Sequence, residues 1–474
     1  MITFLIAILL LIGGYFLYGK WVEQVFGMQP DRMTPAYENE DSVDFVPMPW
    51  WRVFLIQFLN IAGLGPIFGA IMGAVYGPVA FLWIVFGSIF GGAVHDYLAG
   101  MMSVRNKGIS LPEIIGKYMG LGFKQFMRIF TLLLMVLVGT VFIAGPAKLL
   151  ANISPVYLNF TVWCVIIFIY FILATLLPID KIIGKIYPIF GFTMLFMAVG
   201  IGGSLLWNGA PIPEITPSNM YNMNPQSEVF PIFPMLFISI ACGAISGFHA
   251  TQSPLMARCL KNERDGRRVF FGAMISEGIV ALIWAAAAMS FFGSVGGLHE
   301  FLKANGNNAA VVVDKIAQSW LGVFGGLLAI IGVIVAPITS GDTAFRAARL
   351  IIADFINFNQ KKKKHRIIVA VPLFITAFVL LQVKFDIIWR YFAWSNQTLS
   401  AVTLWTITVY LAYKKKCYWI TLIPSLIMTS VISTYIVVAP EMLNLSTTIG
   451  YTVGVICSVA SGVFFIWWKK KIIR

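Results

Sequence analysis

The sequence predicts an all-α, polytopic membrane protein of about 13 transmembrane helices, and three observations carry that expectation. Of its 474 residues, 59% are hydrophobic and only 11% are charged, against roughly 25% charged in soluble domains. Apolar runs long enough to cross a bilayer recur along the chain. Two of those runs are interrupted near their centres by glycine, proline and polar side chains.

Taken in order, the spans cover residues 2–19, 51–76, 78–102, 122–149, 158–177, 183–207, 230–260, 269–292, 321–355, 367–381, 385–412, 418–438 and 448–468. The first lacks a basic start and a small-residue cleavage site, so it reads as a retained helix with its N-terminus outside. The loop from Val22 to Pro49 is acidic and polar, and 208–226 is proline-rich without Lys or Arg. A net charge of +14 would suggest nucleic acid for a soluble chain, but here the basic residues cluster between apolar runs. With thirteen spans and an outside N-terminus, 29 of the 34 Lys and Arg fall on the inner side. Only Lys148, Lys303, Lys315, Lys384 and Arg390 fall outside. That asymmetry is a topology signal and places the C-terminus in the cytoplasm. The five cysteines form no C-x-x-C pair, so no disulfide frame or metal site is indicated, and no cofactor is expected.

The first interruption is Asn60-Ile-Ala-Gly63-Leu-Gly65-Pro66. Proline lacks the amide that bonds one turn back, and glycine has no steric preference for staying helical. Gly63 lies about twelve residues into its span, about 18 Å deep by helix rise. Open backbone at that depth is tolerated only where protein or a water-filled cavity surrounds it. A helix broken around a bound solute and a plain proline kink both fit this stretch. The second interruption, Gly243-Ala-Ile-Ser246-Gly247-Phe-His249-Ala-Thr251-Gln252-Ser253-Pro254, opens five spans later. An odd offset inverts the second unit, which gives a 5+5 inverted repeat: 51–207 and 230–412. Residues 1–50 then form an extra helix and loop, 208–229 an extracytoplasmic linker, and 413–474 two extra helices. Paired interrupted helices at matching positions point to a transporter's binding site.

Half-helix N-termini carry free amides and partial positive charge suited to a carboxylate, and those after Gly65 and around Ser253 are the candidates. Freed carbonyls near Asn60–Gly63 and Gly243–Gly247 suit a cation or a polar head group. Asn60, Ser246, His249, Thr251 and Gln252 supply specificity on this reading, or helix–helix adhesion on the bland one. Ionisable residues inside a bilayer are functional candidates by default. Glu277, about 13 Å into its span, reads as a proton carrier or as a hydrogen-bonded neutral carboxyl. His95 and Asp96 point about 100° apart on a helix and so are expected to have different partners. They either titrate or lock an inner gate through Arg contacts. Asp342 and Arg346, four apart, suggest a salt bridge along one face. Thr339, Ser340, Asp342 and Thr343 equally offer oxygens to a hard cation such as sodium. Asn396 and Gln397 read as amides lining the path.

The strings NIAGLGPIFGAI, GAVHDYLAGMMSVRNKGISLPEIIG, GAISGFHATQSPLMAR, GAMISEGIVALI, ITSGDTAFRAARLI and WSNQTLSAV resemble the carbon starvation protein A family of bacterial inner-membrane transporters. The resemblance covers residue 1 to about 412 and implies a LeuT-like core, in the inner membrane, within the amino acid–polyamine–cation superfamily. It also implies uptake during carbon limitation, with pyruvate–proton symport and peptide uptake both attributed to members. The family motif positions it implies are His95, Asp96, Ser246, Gly247, His249, Glu277, Asp342, Thr343, Arg346, Asn396 and Gln397. After His249 the chain reads Ala-Thr-Gln-Ser-Pro, where many relatives carry a different Ser/Thr-rich string. The expectation is a proton-coupled symporter for a small organic anion, pyruvate first, with a peptide or amino-acid transporter, sodium-coupled or not, as the alternative. Nothing resembles a repeated channel filter. No H-E-x-x-H or G-x-S-x-G supports a membrane enzyme.

Overall fold

The computed structural model describes residues 1–176, 183–358, 360, 362–383 and 385–472. Helix dominates, and the one β-contact among the described residues is an isolated bridge between Met48 and Leu260. Every apolar span coincides with a helix or an interrupted helix. Among the described residues, eight helices are long and apolar enough to cross a membrane alone, or nine if one bent pair counts as a single span. Broken, short or more polar helices account for the other spans, because a length-and-hydropathy criterion passes over helices rich in buried polar groups.

The first span, Ile2–Phe26, ends on Gly27 in the left-handed region (φ 70°). Its opening amides would be orphans. Glu214 of the proline-rich linker accepts from the amides of Ile2 (2.9 Å) and Thr3 (2.8 Å) and pairs with the Met1 ammonium. The N-terminus and the linker therefore share one face. Burial would raise the Glu214 carboxyl, but these donors outweigh it and hold it at about 2.

Two of the spans are broken helices, one over Trp50–Ala74 and one over Ile232–Ala257. The expected span at 321–355 is the second part of a 48-residue helical run, Ala309–Ile356, that parts at Gly322 (φ 67°, ψ −172°). Only glycine enters that conformation cheaply. This run packs on Leu121–Ile153 and on Ile183–Trp207, beside the first broken helix. The last two helices, Trp419–Val438 and Thr447–Ile472, pack on each other and on Phe385–Tyr413. Hydroxyls tie them together: Thr408 Oγ1 donates to Thr421 Oγ1 (2.8 Å) and Ser458 Oγ to the Leu426 carbonyl (3.0 Å), as expected where apolar contact gives no advantage over lipid.

Candidate transport site

The first broken helix runs Trp50–Ile61, leaves helical geometry at Ala62 (φ −81°, ψ 46°) and resumes as Gly65–Ala74. Its halves meet at 54°. The second runs 232–239, departs at Ile240 (φ −98°, ψ 71°) and restarts as Gly247–Ala257 after the extended Ser246 (φ −145°, ψ 129°). The breaks lie against each other. A Cβ on Gly65 would sit 2.2 Å from Cys242 Cβ and 2.4 Å from its Sγ, so only glycine lets the two unwound stretches approach. Gly65→Ala therefore pushes the breaks apart and is expected to remove transport. Adding Cys242→Gly clears the clash, and uptake partly restored in the double variant is the result that checks it.

The backbone freed at the second break is braced by its neighbours. The Trp83 indole donates to the Ile240 carbonyl (2.9 Å), and Ser88 Oγ to that of Gly243 (3.0 Å). Asn396 Oδ1 accepts from the Phe248 amide (2.7 Å), its Nδ2 donates to Ser246 Oγ (2.9 Å), and Gln397 Nε2 donates to the Phe237 carbonyl (3.0 Å). Both amides, expected from the sequence to line the path, thus bond main chain at the second break, and Asn396 also holds the Ser246 hydroxyl. A correction concerns Ser253. The half-helix starts at Gly247, where a Cβ would lie 2.4 Å from the Asn396 carbonyl oxygen. Ser253 is inside the helix, its hydroxyl donating to the His249 carbonyl (3.0 Å). Pro254 does not end the helix, since a missing amide inside a membrane bundle is tolerated. Thr251 donates to the Phe248 carbonyl (2.6 Å), and Gln252 Nε2 to Thr251 Oγ1 (3.0 Å).

Four titratable side chains gather beside that restart, all fully buried. His95 Nδ1 meets Asp96 Oδ1 (2.7 Å), Asp96 Oδ2 meets His249 Nδ1 (2.9 Å), and His249 Nε2 faces Glu277 Oε2 (3.4 Å). A carboxylate only accepts, so an ionised Asp96 requires a proton on each facing Nδ1. His249 Nε2 and both Glu277 carboxyl oxygens are buried without a hydrogen-bond partner, so the two side chains stand close but unjoined. His95 and Asp96 thus bond each other, contrary to the expectation of different partners, and Asp96 alone reaches on to His249. Their helix is buried on every side from Ala93 to Val104, which leaves the two side chains no solvent and turns them together toward His249. Arg105 instead grips Glu263 (Nε to Oε1, 2.7 Å).

Asp342 and Arg346 also part company. Asp342 Oδ2 accepts from the Tyr187 hydroxyl (2.5 Å), while Arg346 Nη1 reaches Asp44 (3.2 Å) and Nη2 the Ala174 carbonyl (2.8 Å). One helical turn moves Arg346 toward the face where the 41–48 segment lies, and a buried carboxylate there outcompetes the helix neighbour. The hydroxyls of Thr339 and Thr343 donate to carbonyls of their own helix, and that of Ser340 to Ala336 (2.9 Å) and across to Leu59 (3.2 Å) beside the first break. Among the described residues no group of three or more His, Cys, Asp or Glu could hold a metal ion.

Above and below the breaks the packing differs sharply. On the face bearing Asn305–Ala310, a cavity of about 580 Å³ opens between Phe68, Met72, Gly145, Lys148 and Arg390. On the opposite face only about 10 Å³ remains among Thr251, Leu255, Arg258 and Leu350. Asp44 seals that side. It contacts Arg346 and Arg349 Nη2 (3.2 Å each), and Phe45 lies under the Arg258 guanidinium (4.8 Å). Burial raises the Asp44 carboxyl, but Arg349, Arg346 and Arg258 prevail and hold it at about 2. Asp44, Tyr187, Cys242 and Ser88 were not singled out from sequence. Only Cys242, the residue just before the second interruption, left a local signal.

Two broken helices packed break to break, with a cavity on one side and a seal on the other, define a secondary transporter of the LeuT-like class. The solved structures agree on the fold. MhsT in complex with L-phenylalanine aligns over 87% of this chain and 97% of its own at TM-score 0.56 and 14% identity. A manganese transporter mutant from Eremococcus coleocola aligns over 90% and 97% at TM-score 0.50 and 15% identity. The profile of carbon starvation protein CstA matches residues 1–157, 147–322 and 293–435, and the chain belongs to the CstA family. An uncharacterized membrane protein of Haemophilus influenzae is 44% identical over 64% of this chain and 95% of the relative. The peptide transporter CstA of Bacillus subtilis is 26% identical over 86% and 85%. The pyruvate/proton symporter BtsT of Escherichia coli is 28% identical over 58% of this chain and 47% of its own length.

Proposed function

We propose that this transporter is a proton-coupled symporter that imports a small carboxylate, pyruvate first. The observation that carries the reading is the buried His95–Asp96–His249–Glu277 chain beside the second break, where His249 Nε2 and Glu277 Oε2 stand 3.4 Å apart with no other partner. A proton held there is within reach of the main chain that reorganises when a solute binds. The solute binds when the breaks, packed against each other here, move apart, and it then sits against Asn60, Gly63, Gly65, Ser246 and Gly247. Asn60 fits this role because it is fully buried and neither of its amide atoms has a hydrogen-bond partner in the protein. Thr251, Gln252 and Ser253 line the exit below it, and Arg346 closes the exit through Asp44.

The same reading sets the chain in a bacterial inner membrane with thirteen crossings, the N-terminus outside and the C-terminus inside. The inverted repeats are 51–207 and 230–412, joined by the 208–229 linker. The large cavity then faces outward. Its volume favours the second reading, uptake of a peptide or amino acid, since a three-carbon acid does not need about 580 Å³, and so does the relative named a peptide transporter. Sodium coupling has weaker support, in the Ser340 hydroxyl bridging to the Leu59 carbonyl.

Uptake of labelled pyruvate, dipeptides and amino acids into proteoliposomes, with and without sodium, tests all of this. Pyruvate accumulation under an outside-acid gradient, collapsed by a protonophore and indifferent to sodium, is the expected outcome. Dipeptide uptake without pyruvate uptake overturns the substrate assignment, and a sodium requirement overturns the coupling.

A further inference from the structure

A groove of about 450 Å³ runs along the outside of the bundle, behind the second break. Its walls include Tyr18 and Trp21 of the first span, Trp83 of the third, and Trp419 and Ile423 of the twelfth, with Ile245 of the second break at its base. The lining is aromatic and aliphatic, and Trp21, Trp419 and Ile423 are exposed. Tryptophans at the end of such a groove mark the membrane–water boundary.

That end is cationic. Lys20 adjoins Trp21, and the turn Lys414–Lys416 leads into Trp419. Lys416 donates to the Phe26 carbonyl and stacks over the Phe26 ring (5.5 Å), which fixes the turn against the first span. Lys20, Lys414 and Lys415 are exposed. We infer that the groove holds an acyl chain of one anionic phospholipid, its headgroup bound by Lys20, Lys414 and Lys415. Charge complementarity selects the lipid class, since basic residues at a membrane surface attract anionic headgroups.

The consequence reaches the transport site. Trp83 forms one wall while its indole holds the Ile240 carbonyl (2.9 Å), and its ring packs on Phe237 (4.3 Å). A chain lying against Trp83 and Ile245 therefore steadies the geometry of the second break from the lipid side.

Native mass spectrometry of the intact protein, released from nanodiscs of equal dioleoyl phosphatidylglycerol and dioleoyl phosphatidylcholine, reads the site directly. One phosphatidylglycerol retained per chain is expected. Lys414→Gln with Lys415→Asn lowers the preference for phosphatidylglycerol by roughly 25-fold, about fivefold per basic residue removed. Ile423→Trp, which fills the groove, lowers retention of both lipids. Equal retention of the two lipids, or an unchanged preference in the lysine variant, overturns the proposal. So does a two-chain particle without lipid, which would assign the groove to a second copy. If Ile423→Trp does not fold, the lysine variant, confined to an exposed turn, decides the matter.

Discussion

Glu277→Gln abolishes uptake driven by a pH gradient and leaves exchange of preloaded solute intact. Glutamine keeps the shape of the side chain and still faces His249 Nε2, 3.4 Å from Oε2 in the native protein. It cannot take up or release a proton. Net symport requires the unloaded transporter to return without its proton, whereas exchange cycles only the loaded form. The rate of gradient-driven uptake should fall to that of empty liposomes, with labelled-for-unlabelled exchange within about twofold of wild type. Gradient-driven uptake that survives in this variant removes Glu277 from the coupling path. His249→Gln differs usefully, because His249 also binds Asp96 (2.9 Å). Its loss disturbs the whole chain and should reduce exchange as well.

Asp44→Ala opens the sealed face. The carboxylate is shared by two guanidiniums that are themselves fully buried. Removing one partner of a buried ionic cluster costs roughly 3–5 kcal/mol. If most of that cost falls on the sealed conformation alone, the balance shifts toward the form open on the Asp44 side by roughly 100- to 1,000-fold. Leu255→Cys on the sealed side, with the exposed Cys417 replaced by Ser, reads the shift as faster thiol labelling from that side in the Asp44→Ala background. An unchanged labelling rate refutes the seal.

The pH dependence of this seal has a definite sign. The folded Asp44 carboxyl lies at about 2, below its ordinary 3.8. The stabilisation is therefore present above the ordinary value and is lost only as pH falls through about 2. Labelling at Leu255→Cys with Cys417→Ser, divided at each pH by the labelling rate of a free thiol, should be flat between about pH 5 and 8.

Much of the architecture was legible residue by residue. Asn60 to Pro66 and Gly243 to Gly247 announced their breaks because helix continuity is a local matter of amides, Cβ atoms and φ/ψ freedom. Charge runs such as Lys414–Lys416 marked loop ends for a similarly local reason. The restart of the second helix was misread because Pro254 is a strong local signal. What set the restart at Gly247 was Asn396, 148 residues away, taking the Phe248 amide. Helical spacing likewise offered Arg346 to Asp342, while the folded chain gave it to Asp44, 302 residues distant.

The sequence by itself determined that this is a bundle of membrane helices with two interruptions and a few costly ionisable groups among them. Such facts follow from composition and from backbone chemistry within a turn or two. Only the tertiary structure decided that His95, Asp96, His249 and Glu277 form one chain and that Asp44 seals one end. Buried polar groups pair with whatever partner packing brings within about 3 Å, and in a bundle of long helices that partner is set by which faces meet, not by distance along the chain.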